Sequence, residues 1–213
     1  MELREIWRYP VKSMAGERLE RTPLGSEGIP GDRVVHVVDP RGRIVTSRSR
    51  PLLLLHHAMV GSDGEPQIDG RAWRDPEIAT AVTQAAGAGT RLVRFDGVSR
   101  FDILPLLVVT DGALEAFGRD LRRLRPNLVI AGVPGLEEFT WAGRVLAIGE
   151  ARIRLAQRRQ RCIMTTFDPD TAVQDRDVLL DIHRRFDGEI ALDAEVLHPG
   201  TLTVGDRVDL LPG

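Results

Sequence analysis

The chain has 213 residues, 42% of them hydrophobic and 28% charged, and a formal net charge of −2. That composition excludes a disordered chain, and the near balance of charge gives no global attraction to nucleic acid or to an anionic membrane. Its longest apolar runs, Pro51–Leu55 and Ile103–Val109, are far short of the ~20 residues that cross a bilayer.

Charged residues near the start, Glu2, Arg4, Glu5 and Arg8, stand where a secretory signal has an apolar core, so a cytoplasmic location without membrane contact is expected. Leu3–Tyr9 alternates and stops at Pro10, the pattern of a strand. Glu17–Leu24 is predicted as a second strand, ending in the loop Gly25–Gly31. Val34–Val38 and Arg43–Thr46 form a predicted hairpin across Pro40-Arg-Gly42. Leu52–Val60 fits either a buried strand or a short helix, and Asp63-Gly64 and Asp69-Gly70 mark turns. Pro76–Ala86 has a helical apolar face (Ile78, Ala81, Val82, Ala85), with Asp75 as N-cap and proline in the first turn. Leu104–Val109 is a predicted buried strand, after which Thr110-Asp111-Gly112 opens a helix running to Leu124. Leu128–Ala131, Val145–Ile148, Arg152–Ala156 and Cys162–Thr166 follow as strands, then a helix over Asp177–Phe186. Ile190–Leu197, Leu202–Val204 and Arg207–Leu211 close the chain as strands. Many short strands with scattered helices indicate a mainly β, α+β fold built on β-barrels.

Chemistry-bearing residues are few. Of 29 basic residues Lys12 is the only lysine, and Cys162 is the only cysteine. One cysteine excludes an intramolecular disulfide, a multi-cysteine zinc site and an iron–sulfur cluster within this chain. Arg158, Arg159 and Arg161 precede it, and positive neighbours favour the thiolate, the form that ligates soft metals; Cys162 equally fits a buried, inert core residue. Arg125-Pro-Asn127 sets a guanidinium fork beside an amide, suited to a phosphate or a polar ring edge, and serves equally as a helix–strand connector. Thr110 and Asp111 sit at a helix start, where capping is the simpler role. Tyr9-Pro-Val-Lys-Ser13 offers an ammonium and a hydroxyl, and Gly31-Asp-Arg33 another guanidinium. The tetrapeptide Gly-Asp-Arg-Val recurs at Gly31–Val34 and Gly205–Val208, which turn-to-strand chemistry explains without a duplication.

In this order, Tyr9–Ser13, Gly31–Arg33, Arg125–Asn127, the string Arg161-Cys-Ile-Met-Thr-Thr-Phe-Asp-Pro-Asp-Thr171 and Val204–Val208 resemble the MOSC family, named for the C-terminal domain of molybdenum cofactor sulfurase. The resemblance is to its amidoxime-reducing branch and covers nearly the whole chain. It implies a smaller N-terminal β-barrel domain over residues 1–96 and a β-barrel MOSC domain over 97–213. It further implies that Cys162 ligates molybdenum and is the catalytic residue. Lys12, Ser13, Arg33, Arg125 and Asn127 would hold the pterin and its phosphate, and Thr110 and Asp111 would line the cofactor. Ala113 departs from the branch, which often has serine there.

The function so implied is a molybdenum-cofactor oxidoreductase reducing small N-hydroxylated compounds, amidoximes or hydroxylamines. Electrons would come from a separate reductase, ferredoxin or cytochrome, since the chain stops at Gly213 without the ferredoxin-like domain of some bacterial relatives. The alternative is a carrier of the cofactor, or of sulfur as a Cys162 persulfide. Pyridoxal phosphate is not expected, because Lys12 is the sole Schiff-base candidate and lies in a loop.

Overall fold

The computed structural model describes residues 1–95, 97 and 100–212. Strands β1 (Glu2–Arg8), β2 (Glu17–Leu19), β3 (Arg21–Leu24), β4 (Val35–Val38), β5 (Ile44–Val45), β6 (Ala58–Val60), β7 (Pro66–Ile68) and β8 (Arg71–Ala72) precede helix α1 (Pro76–Ala86) and β9 (Arg91–Arg94). Then come β10 (Leu106–Thr110), α2 (Asp111–Phe117), β11 (Leu128–Ala131), β12 (Val145–Ile148) and β13 (Ala151–Gln160). The chain closes with α3 (Asp177–Phe186), β14 (Glu189–His198), β15 (Gly200–Thr203) and β16 (Val208–Leu211).

The largest sheet has eight strands in the order β16-β12-β13-β14-β10-β11-β1-β2, with β10 and β11 parallel. It closes on itself. Leu3 N donates to Asp206 O (2.9 Å), Gly205 N to Leu3 O (2.8 Å) and Val208 N to Met1 O (3.0 Å), joining the start of β1 to β16. Leu3, Ile6, Val108, Ile130, Ile153 and Leu192 fill the barrel interior. On β10, Leu106 and Val108 point into that interior while Leu107 and Val109 meet Phe117 of α2 and Ile182 and Phe186 of α3 outside it. A strand covered on both faces explains the unbroken apolar run there. A second core gathers Val35, Val37, Leu53, Ile68, Ile78 and Val82 between α1 and the sheets β5-β4-β9 and β6-β7-β8.

The expected division at 96/97 touches residue 96, which lies outside the described residues. The strands are shared across it in any case: β1 pairs with β11, and β3 pairs with β15. Among the described residues no helix is long and apolar enough to cross a membrane.

Helices α1 and α3 occupy the predicted spans, and Asp75 caps α1 by accepting from Glu77 N. Other expectations change. Glu17–Leu24 breaks at Glu20 into two strands of different sheets. Leu52–Val60 is both things in turn, a 3-10 helix over Pro51–Leu55 and then β6. The helix after Thr110 stops at Phe117 because Gly118 adopts a left-handed backbone (φ 64°), and Leu121–Arg123 is a separate 3-10 turn. Cys162–Thr166 is not a strand. Cys162 is extended, but Ile163–Thr166 is a 3-10 turn, since the Thr165 and Thr166 hydroxyls donate back to the carbonyls of Cys162 (2.9 Å) and Ile163 (2.6 Å).

Candidate active site

The chain leaving β1 and the chain approaching β4 are zipped together by backbone. Arg33 N donates to Tyr9 O (2.7 Å), Val35 N to Pro10 O (3.1 Å) and Lys12 N to Val35 O (2.8 Å). Asp32 is the hub beneath them, fully buried, accepting from Tyr9 N (2.7 Å), from Asn127 Nδ2 (3.3 Å) and from the Arg33 guanidinium. Tyr9 donates its hydroxyl to Pro126 O (3.1 Å), and its ring lies under the Arg125 guanidinium at 4.2 Å.

These turns hold an unusual backbone. Ser13 (φ 71°), Arg33 (φ 56°) and Arg125 (φ 58°) are all left-handed although none is glycine. Such residues cost energy and persist where the surroundings over-determine them, often at ligand sites. All three line one cleft, together with Lys12, Asn127 and Cys162. The cleft also takes in Arg48, Arg159 and Arg161, so six basic side chains face it against two acidic ones, Asp102 and Asp193.

Cys162 enters from the end of β13. Strand alternation sends Arg159 and Arg161 toward the cleft, while Arg158 turns outward to Glu189 (2.8 Å) and the Phe139 ring. Arg123 ties the turn after Cys162 down, donating to Thr165 O (3.2 Å) and Asp168 Oδ2 (3.0 Å). Asp168 Oδ1 in turn accepts from Asp170 N and from Thr171 N and Oγ1, so the Asp-Pro-Asp-Thr segment is a brace for the cysteine turn. Burial opposes the charge on Arg48, yet Asp102 and then the charge and a hydrogen bond of Cys162 raise its pKa above the ordinary value.

The floor of the cleft is under-satisfied. Arg125 gives Nη1 to Met14 O (2.6 Å) and Arg161 gives Nη2 to Leu124 O (2.8 Å). Among the described residues, Arg125 Nη2 and Arg161 Nε are buried with no hydrogen-bond partner. Burial draws both guanidinium groups down to about 10, so they stay charged at neutral pH at a cost that an anion beside them would relieve.

Two family models match the chain, the MOSC N-terminal beta barrel domain over residues 1–101 and the MOSC domain over 111–209. The chain belongs to the MOSC family. Mitochondrial amidoxime-reducing component 1 of Homo sapiens is 25% identical to this MOSC protein, over 97% of this chain and 82% of its own. Mitochondrial amidoxime reducing component 2 of Macaca fascicularis is 29% identical over 83% and 70% respectively. In fold, the chain is similar to the solved YUAD protein of Bacillus subtilis, with a TM-score of 0.50, 12% identity, and coverage of 100% of this chain and 96% of that one.

Within this MOSC protein the expected site residues divide. Lys12, Ser13, Arg33, Arg125 and Cys162 meet in the cleft. Asn127 lines it too, but its amide is spent on structure: Oδ1 accepts from Leu107 N (3.1 Å) and Nδ2 donates to Trp7 O (3.2 Å) and to Asp32. Thr110 and Asp111, expected to line the cofactor, are not among the cleft's lining residues. Their side-chain oxygens are engaged elsewhere, in capping α2 and in tying its start to the turn after β11. Thr110 Oγ1 accepts from Ala113 N, and the Asp111 carboxylate takes the N–H groups of Gly112, Gly132 and Val133. Arg48, Asp102, Arg159 and Asp193 have no sequence motif that marks them, and plain strand alternation would set Arg159 on the face opposite Cys162; β13 ends at Gln160 before the cysteine, which brings both to the cleft.

Among the described residues no three His, Cys, Asp or Glu side chains are grouped to hold a metal ion. The donor set that is present, one thiol and unpaired cationic N–H groups, fits an anionic cofactor that brings most of its metal's ligands with it.

Glu138 was missed as well. Fully buried, it accepts from Thr110 N (2.6 Å) and Ala191 N (3.1 Å), pinning α2's start to β14. Burial pushes its carboxyl up from 4.5 to about 7 against those hydrogen bonds. With the folded value above the unfolded one, the stability it contributes is complete below pH 4.5 and is lost as pH rises through 7, a change of about 3 kcal/mol. Urea unfolding of Glu138→Gln at pH 5 and pH 8 should therefore show the wild-type advantage shrinking as pH rises. An advantage that grows with pH contradicts this assignment.

Proposed function

We propose that this cleft binds the molybdenum cofactor and that the protein reduces N-hydroxylated compounds with electrons from a separate donor protein. The observation that carries the reading is the convergence of the sole thiol with two guanidinium groups, Arg125 and Arg161, each of which leaves one buried nitrogen without a partner among the described residues. The names of its relatives, amidoxime-reducing components, supply the reaction class.

In this reading Cys162 provides the protein's one bond to molybdenum, as a soft thiolate suited to that metal. Arg125 and Arg161 hold the cofactor's negative groups from the floor, Arg33 and Lys12 from the side, and Ser13 offers its hydroxyl. Asn127 and Asp32 keep Arg33 in place, and through Tyr9 the ring beneath Arg125, rather than touching the ligand, because their own polar atoms are already engaged. When bound, the cofactor supplies two-electron chemistry that cleaves an N–O bond: an amidoxime, two electrons and two protons yield an amidine and water. The chain's part is to hold the cofactor and keep the cleft positive; with a single cysteine it carries no cluster of its own to relay electrons.

Protein made in a host that synthesises the cofactor is expected to contain molybdenum and pterin near one per chain. Reduced by an artificial donor, it should convert an amidoxime to the amidine in a single turnover. Metal-free protein from such a host overturns the reading. Loaded protein that releases cofactor or sulfur to an acceptor without turnover identifies a carrier instead.

A further inference from the structure

Three cations from three separate segments meet one carboxylate at the rim of the cleft. Lys12 Nζ is 2.7 Å from Asp102 Oδ1, Arg48 Nη2 is 2.9 Å from Oδ2, and Arg159 Nη2 is 3.7 Å from the same oxygen. Arg159 is braced from behind by Asp193, 2.8 Å from Nη1, so its reach toward Asp102 is fixed. Partial burial opposes ionisation of Asp102, but the Lys12 hydrogen bond and the charges of Lys12, Arg48 and Arg159 hold its carboxyl below the usual range.

Asp102 lies outside the strands, on the segment between β9 and β10, with Arg100 on its N-terminal side. Arg100, just before it, anchors that side through Asp32 O (3.2 Å) and Glu27 Oε2 (2.9 Å). The next residue, Ile103, is half exposed. The Asp102 carboxylate, about one-third exposed, is held in the cation cluster by its three ion pairs. Two oxygens shared among three donors is also how a phosphate or sulfate edge is held.

We propose that Lys12, Arg48 and Arg159 form an oxyanion subsite beside Cys162, and that Asp102 is its built-in occupant, expelled when a phosphate-like dianion binds. A dianion brings twice the charge of the carboxylate to the same three cations, whereas chloride or acetate brings no advantage over it. The tethered carboxylate competes at every moment, so the apparent affinity for a free anion is reduced by the fraction of time Asp102 is seated. This goes beyond the reading above: it adds Arg48 and Arg159 as ligand contacts, and it stands whether or not molybdenum binds.

The test is calorimetric titration of the cofactor-free chain with inorganic phosphate and with phenyl phosphate at low salt. Asp102→Asn keeps the shape and removes the charge, and a latch seated nine-tenths of the time predicts phosphate binding about tenfold tighter than wild type. Arg159→Gln placed in the Asp102→Asn background should reverse that gain. Tightening for both probes means the subsite takes a terminal phosphate on a larger molecule; tightening for inorganic phosphate alone means it takes a free oxyanion. Equal phosphate affinity in wild type and Asp102→Asn overturns the proposal. Should that variant misfold, amide exchange of the wild type decides: residues 100–104 must exchange faster at saturating phosphate, and unchanged or slower exchange there overturns it.

Discussion

Cys162→Ser is expected to leave the fold intact and to abolish molybdenum retention and turnover together. The substitution is nearly isosteric, and the residue's backbone is held independently by Thr165, which donates both N–H and Oγ1 to the Cys162 carbonyl. Its side chain is only partly buried and lines the cleft beside Arg48, outside the apolar cores. The melting midpoint should thus stay close to wild type, as for substitutions outside named stabilising features. The chemistry changes far more. A serine hydroxyl is a hard donor, protonated at neutral pH, where the site needs a soft anionic one. Losing an outer-shell partner of a metal ligand costs roughly 10–100-fold in affinity, and losing the ligand itself must exceed that. Metal analysis and single-turnover amidoxime reduction on the purified variant measure both effects; a variant that keeps stoichiometric metal and full turnover removes Cys162 from the mechanism.

The second large effect is structural and lies one layer below the site. Asn127→Leu should lower stability by about 3–5 kcal/mol, because the buried Leu107 N–H and Trp7 C=O lose a partner at about 1–3 kcal/mol each and Asp32 loses a donor. For a chain of this length that corresponds to roughly 10 °C in melting midpoint. Asn127→Asp separates the contributions: it keeps the acceptor for Leu107 N but faces the Asp32 carboxylate, so it should be unstable at neutral pH and recover in acid as the new carboxylate is protonated. Thermal melts of the two variants check this. A midpoint for Asn127→Leu within a degree of wild type would show that the amide is dispensable, and its role would then belong to ligand contact.

The two assignments belong together. Asn127 and Asp32 hold the Arg33 guanidinium directly, and Asp32 fixes Tyr9, whose ring lies under Arg125; both arginines line the cleft with Cys162. Damage at the lower layer should reach the cleft as looser positioning, so residual activity in Asn127→Asp at acid pH is expected to follow the recovery of folding.

Much of this was legible from residues taken a few at a time. The spans of α1 and α3 follow from their apolar period and from a cap whose partners lie within a turn. The motif strings, with the lone lysine and lone cysteine, marked Lys12, Ser13, Arg33, Arg125 and Cys162 for one site. What they did not show is how polar groups far apart in the chain pair off. Asp102 meets Lys12, Arg48 and Arg159, and Glu138 meets Thr110 and Ala191, only because the barrel closes and brings those segments side by side.

Thr110 and Asp111 show the limit from the other direction. The family resemblance placed them near a ligand, whereas their position at a helix start already made capping the simpler role: Thr110 Oγ1 caps the helix, and the Asp111 carboxylate takes the N–H groups of Gly112, Gly132 and Val133. The repeated Gly-Asp-Arg-Val is the clearest case. In both copies glycine is left-handed, as the local turn demands, and aspartate accepts a backbone N–H, from Thr203 three residues away at Asp206 but from distant Tyr9 at Asp32. Yet Arg207 projects into solvent beside Asp209, whereas Arg33 faces the cleft with its carboxylate partner buried. Turn chemistry is decided by neighbours in the chain, within a few ångströms of backbone. Whether a charge ends in water or in a binding cleft is decided by which other strands cover it, and that is a property of the closed barrel alone.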